Sequence, residues 1–138
     1  MIVKPRIRGF ICTTAHPQGC AASVHEQIDY VQSQPKLDKP LKNVMVLGCS
    51  GGFGLASRIN AAFSGGAATL GVSFEREASG NRTATAGFYN NIAFDEAARA
   101  AGLTAHTIDG DAFSDEIKAQ VIATLKEHMG PLDLLVYS

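Results

Sequence analysis

The chain has 138 residues, 46% of them apolar and 18% charged, with a formal net charge of −1. That length fits one domain with a buried core. The near-neutral balance gives no electrostatic reason to expect a nucleic acid or a membrane surface as partner, and no apolar run approaches the ~20 residues that cross a bilayer.

The opening Met1-Ile2-Val3-Lys4-Pro5-Arg6 has no apolar stretch behind its charges, so no signal peptide is expected and a cytoplasmic location follows. Cys12, Cys20 and Cys49 are too sparse for a disulfide framework. Cys12, His16 and Cys20 are evenly spaced, but no fourth ligand accompanies them for a tetrahedral zinc site, and buried or half-buried thiols are expected. Residues 1–20 read as irregular, punctuated by Gly9, Pro17 and Gly19. A helix is predicted from about Ala21 to Gln34, with Val24, Ile28 and Val31 on one face. Pro35 ends it, and residues 35–42 read as a linker.

Val44-Met45-Val46-Leu47 is a continuous apolar run, as expected of a strand buried on both faces. A glycine-rich turn follows, then a helix from Leu55 to Phe63 stopped by Gly65-Gly66. Ala68 to Phe74 reads as a second strand and residues 76–88 as a polar loop. A helix from about Asn90 to Ala101, a third strand at Thr104–Ile108, a helix capped by Ser114 and running to about His128, and a fourth strand at Leu132–Val136 complete the chain. This alternation predicts an α/β fold with a parallel sheet. Right-handed crossovers give strand order 3-2-1-4, part of a doubly wound sheet.

The segment Gly48-Cys49-Ser50-Gly51-Gly52-Phe53-Gly54 lies where the first sheet strand passes into its helix. Glycines there let backbone N–H groups approach a pyrophosphate, and the helix N-terminus adds partial positive charge. The spacing Gly48-x-x-x-Gly52-x-Gly54 looks like the wider turn of short-chain dehydrogenases, and Ser50 offers a hydroxyl to a phosphate oxygen. A glycine turn with no ligand is the plainer alternative. The Gly-Lys-Ser/Thr ending of an NTPase loop is absent. Glu75, at the end of the second strand, is placed to accept both ribose hydroxyls and to repel a 2′-phosphate, which favours NAD(H), although Arg76 beside it softens the preference. Asp111-Ala112 follows the third strand, where the acid suits an adenine amino group and the alanine the ring. Asp111 equally suits the cap of the next helix, and both roles are compatible. All three sites fall at the carboxyl ends of strands, where open parallel sheets bind ligands.

Lys4-Pro5-Arg6-Ile7-Arg8-Gly9-Phe10-Ile11-Cys12-Thr13-Thr14, the glycine turn through Ala56, Leu70-Gly71-Val72-Ser73-Phe74-Glu75-Arg76, Gly87-Phe88-Tyr89-Asn90, Asp109 to Asp115 and Asp133 to Ser138 carry a specific resemblance. Together they are similar to the FabV-type trans-2-enoyl reductases. The resemblance implies a Rossmann-type enzyme that uses NADH to saturate the trans-2 double bond of an enoyl thioester, on acyl carrier protein or coenzyme A. It implies that Gly48, Cys49, Ser50, Gly51, Gly52 and Phe53 line the pyrophosphate, Phe74 and Glu75 the adenosine ribose, and Asp111 and Ala112 the adenine. Gly51 and Phe53 stand where the family often has a hydroxyl residue and a tyrosine, so side-chain contacts to phosphate are expected to be weaker.

Members of that family are much longer, and their catalytic tyrosine and lysine lie beyond the fourth strand. Tyr30 and Lys39 match the pair's spacing, but they precede the nucleotide strand and Pro35 interrupts any helix joining them, so the match is accidental. The expectation is therefore an N-terminal extension at 1–42 packed on the reductase core and an NAD(H)-binding half-domain at 43–138, with no catalytic residues and little activity alone. Isolated, it is expected to self-associate through its fourth strand. A non-catalytic, stand-alone NAD(H)-binding module shares every one of these motifs.

Overall fold

The computed structural model describes residues 3–138; Met1 and Ile2, at the head of the stretch read for a signal peptide, lie outside the described residues. The first twenty residues are not irregular throughout. β1 (Ile7–Arg8) and β2 (Ile11–Cys12) form a small antiparallel hairpin around Gly9, whose φ is +61°. Both strands are exposed, so Cys12 is exposed too, whereas Cys20 is half-buried and Cys49 buried. α1 (Pro17–Ser33) starts four residues before the predicted Ala21. Its cap is His16, whose Nδ1 accepts the Gly19 N–H at 3.2 Å, followed by a proline that suits the first helical turn. That use of the His16 ring is structural. Among the described residues no group of three or more His, Cys, Asp or Glu is arranged to hold a metal.

The sheet contains β3 (Asn43–Leu47), β4 (Ala68–Ser73), β5 (Ala105–Asp109) and β6 (Leu134–Tyr137), all parallel, in the order β5-β4-β3-β6. This is the predicted 3-2-1-4 arrangement of a Rossmann-type half-sheet. Side chains alternate between faces. Val44 and Val46 pack with Ala61 and Ala67 on one side, while Met45 packs with Leu70, Val72, Ile108 and Val121 on the other. α2 (Gly52–Ile59) and α3 (Ala86–Ala100) share a cluster with α1, built on Val24, Ile28, Leu55, Ile59 and Phe94. α4 (Asp115–Thr124) covers the second face through Val121.

Three further helices differ from their predicted bounds. α2 begins three residues early, opening on Gly52 at φ +51°, and it widens into a π turn at Asn60–Ser64. α3 begins at Ala86, so Gly87, Phe88 and Tyr89 form its first turn instead of ending a loop. α4 widens in the same way at Leu125–Met129, after the predicted Ser114 cap, whose Oγ accepts the Ile117 N–H at 3.2 Å.

Arg58 is a charge on a helix that the apolar pattern would place inside, and it is fully buried. Its guanidinium donates to Thr107 Oγ1 at 2.8 Å and to the His106 carbonyl at 2.7 Å, and it pairs with Asp95 at 3.3 Å. Gly71 makes the room: a Cβ there would stand 2.7 Å from Arg58 Nη1 and 2.6 Å from Cys49 Sγ. One side chain thereby joins α2, β5 and α3 across β4.

Candidate functional site

The glycine turn divides its roles by position. Gly48 has φ +80°, and a Cβ on it would run into the Ser138 carbonyl oxygen. A Cβ on Gly54 would collide with the Gly48 carbonyl and stand 3.2 Å from Ser138 Cβ. These two glycines let β3, α2 and the end of β6 close on one another. Gly51 and Gly52 face the opposite situation, with nothing within 4 Å of an added Cβ. Gly52 also has φ +51°, which disfavours any side chain.

The turn's N–H groups are likewise sorted. Gly48 and Cys49 both donate to the Val72 carbonyl, at 2.8 and 3.3 Å. The next backbone N–H with a backbone acceptor is that of Leu55, which bonds the Gly51 carbonyl at 3.1 Å. Among the described residues no acceptor meets the N–H groups of Ser50, Gly51, Gly52 and Phe53, which present the unpaired donors of a helix N-terminus beside open space over Gly51 and Gly52. An anion suits that cradle, and a pyrophosphate fits it chemically. The Phe53 side chain is 89% exposed next to it.

The structure places Cys49 with its side chain in the core, where the thiol donates to Asn91 Oδ1 at 3.6 Å. Burial pushes its pKa up, with the Arg58 charge opposing. Ser50 directs its hydroxyl sideways, donating to Glu75 Oε1 at 2.5 Å. Asn90 holds the Ser50 carbonyl at 2.8 Å.

Glu75 follows β4 and is half-buried, while Phe74 before it is 78% exposed. Its second carboxylate oxygen accepts the hydroxyl of Thr85. Its backbone N–H donates to Asp109 Oδ1 at 2.7 Å. Two hydrogen bonds, Ser50 to Glu75 and Glu75 to Asp109, thus tie the ends of β3, β4 and β5 into one rim.

Asp111 stands beyond that rim and is exposed. Its Oδ1 accepts the Phe113 N–H at 2.9 Å, and its carbonyl accepts the Ser114 N–H and hydroxyl at 2.9 and 2.8 Å. It therefore shapes the entry to α4, the cap reading of this residue. Ala112 packs partly against the Val121 cluster. The sequence reading missed Thr85, Gly87, Asn90 and Asp109. The first two lay inside a stretch read as loop, and the sign that was available was Gly87 followed by two aromatics and an asparagine, which starts a helix.

Two family models match the chain: the NAD(P)H binding domain of trans-2-enoyl-CoA reductase over residues 2–80, and the trans-2-enoyl-CoA reductase catalytic region over residues 82–138. The chain belongs to the trans-2-enoyl-CoA reductase family. Within the family, the enoyl-[acyl-carrier-protein] reductase [NADH] of Pseudoalteromonas atlantica is 61% identical over all 138 residues, and the FabV enzyme of Aeromonas salmonicida 56%. The solved Treponema denticola trans-2-enoyl-CoA reductase, in complex with NAD, superposes with a TM-score of 0.89 at 56% identity, covering 99% of this chain and 36% of that one. The Clostridium acetobutulicum enzyme with NADH gives 0.94 at 45% identity, covering 99% and 34%. The chain spans 35% of the length of its Pseudoalteromonas and Aeromonas relatives. The two matched regions meet in the segment between β4 and α3, and the sheet runs unbroken through both.

Proposed function

We propose that this chain is the NADH-binding portion of an enoyl thioester reductase, holding the dinucleotide across the carboxyl ends of β3, β4 and β5. The observation that carries this reading is the coincidence, on one rim, of an unpaired helix N-terminus above open space and a fixed carboxylate one strand away. The free N–H groups from Ser50 to Phe53 would hold the pyrophosphate. Glu75, with two lone pairs left beyond its protein bonds, would accept the adenosine ribose hydroxyls. Phe74 and Ala112 would supply apolar contact for the adenosine, with Asp111 at the adenine edge, while Gly48 and Cys49 would act through the shape of the turn.

The nicotinamide supplies hydride when bound, and the protein supplies placement and electrostatics. The substrate class follows from the relatives' names: an enoyl group on acyl carrier protein or coenzyme A. Residues 1–42 would act as an extension packed on the binding half-domain at 43–138, and the setting would be cytoplasmic. No helix among the described residues is long and apolar enough to cross a membrane.

Titration of the chain with NADH and NADPH, followed by nicotinamide fluorescence, tests the reading. NADH should bind, the more tightly of the two, and Glu75→Ala should abolish the difference. Equal affinity in the unsubstituted chain would refute the role of Glu75. The chain alone should not oxidise NADH with crotonyl-CoA, because Tyr30 lies on α1, in the extension before β3, and no other tyrosine–lysine pair has the catalytic spacing. Turnover that Glu75→Ala removes would overturn that part.

A further inference from the structure

The segment from Arg76 to Thr85 joins β4 to α3 and is tied at several levels. Thr85 N–H donates to the Arg76 carbonyl at 3.0 Å, and Arg76 N–H donates to Thr85 Oγ1 at 3.2 Å. Ser79 and Arg82 exchange backbone bonds at 3.1 and 3.0 Å around Gly80. The Ala84 N–H donates to the Tyr89 hydroxyl at 3.0 Å, and Thr83 Oγ1 accepts the Ala15 N–H at 3.2 Å. The lobe is therefore shaped by its own bonds and anchored to the N-terminal segment and α3.

Its product is one oriented hydroxyl. Thr85 Oγ1 accepts from the Arg76 N–H, and its single proton goes to Glu75 Oε2, a much closer acceptor than the Arg76 carbonyl at 3.4 Å. Ser50 does the same to Oε1 from the glycine turn. Gly87, in the first turn of α3, supplies the space: a Cβ there would overlap Glu75 Oε1, lie 2.5 Å from its Cδ and 2.7 Å from Ser50 Cβ. Arg76 and Arg82 are exposed on the same lobe.

We propose that Thr85, Ser50 and Gly87 are the positioning residues that set cofactor specificity, by locking Glu75 in the one placement where it accepts a ribose diol and repels a 2′-phosphate. The inference rests on the reading that Glu75 meets the adenosine ribose. With the lock broken, the carboxylate swings away and the lobe's two arginines are left to receive a phosphate, so discrimination falls while the turn still holds the pyrophosphate.

The test measures the NADPH-to-NADH ratio of Kd by fluorescence titration for the unsubstituted chain, Thr85→Val, Thr85→Ser, Gly87→Ala and Glu75→Ala, with a thermal melt of each. Thr85→Val should lower the ratio roughly ten-fold, the weight of one hydrogen bond to a charged group. Thr85→Ser should restore it, and Gly87→Ala should match Glu75→Ala. If Glu75→Ala abolishes the preference but Thr85→Val and Gly87→Ala keep it, the lock is refuted and the Glu75 reading stands. If Glu75→Ala keeps the preference, or the unsubstituted chain has none, both fall. Should Thr85→Val not fold, the comparison of Gly87→Ala with Glu75→Ala decides.

Discussion

The guanidinium of Arg58 lies 4.2 Å from the centroid of the Phe94 ring, and neither side chain is exposed to solvent. A cation over an aromatic face gains most where water is excluded. Here the same cation also binds β5 and Asp95. Arg58→Met should therefore strip partners from several buried groups at once, at a cost of roughly 3–5 kcal/mol. Arg58→Lys should recover only part, because one ammonium cannot span the Thr107 hydroxyl, the His106 carbonyl and the Phe94 face together. Urea denaturation checks this; a midpoint for Arg58→Met equal to that of the unsubstituted chain would show the clamp to be dispensable.

Gly54→Ala places a methyl group against the Gly48 carbonyl and Ser138. Both obstacles are close to backbone and cannot swing aside, so α2 must shift away from β3 and β6. Overpacking of this kind costs about 1–3 kcal/mol. Gly51→Ala meets open space at the same turn and should leave the melting temperature nearly unchanged while weakening NADH binding. A Gly54→Ala variant as stable as the parent would contradict the division of the turn into packing and binding glycines.

Asp133 Oδ2 accepts the N–H groups of Lys42 and Asn43 at 2.7 and 2.9 Å, and the bond from Asn43, then that from Lys42, hold its carboxyl below the usual value of 3.8. A carboxyl depressed in the folded state stabilises above its unfolded pKa, and that stability is lost as pH falls through the folded value. Asp133→Asn should therefore lower stability at neutral pH and flatten the decline in acid below pH 3.8. Denaturant midpoints at about pH 2, 3, 5 and 7 read the effect. Parallel curves for the two proteins would remove this contact from the acid response.

Among the described residues β6 pairs only with β3, and Leu135 and Tyr137 on it are 55% and 71% exposed. An edge strand with apolar side chains is a template for pairing with another chain. Sedimentation at micromolar concentration should show self-association, relieved by Leu135→Lys. A monodisperse monomer would instead show that this edge is tolerated as it stands.

What the sequence disclosed depended on whether a pattern was periodic. The strand at Val44–Leu47 and the strand order were legible, because burial on both faces leaves an apolar run and crossover handedness leaves few arrangements. Glu75 was legible from its place at the end of a strand. Its partner Thr85 was not, since the two meet through a ten-residue lobe whose fold depends on a Ser79–Arg82 bond pair that has no sequence period. His16 as a helix cap and Arg58 as a core cation were hidden for another reason. Both residue types are ordinarily read as surface or functional groups, and only their surroundings reveal the role.

The parallel order of the sheet also bears on how the chain is made. β3 is central, bounded by β4 on one side and β6 on the other, and its first residue, Asn43, bonds a side chain ninety residues later. On the ribosome, β3 and β4 emerge early and can pair, but the other edge of β3 stays open until Asp133 and β6 have left the exit tunnel. During that interval a strand as apolar as Val44-Met45-Val46 is sticky, in the manner of partly folded chains that engage chaperones. Slowing translation across residues 110–133 would prolong the exposure, whereas speeding it would favour capture of β6 over a wrong partner.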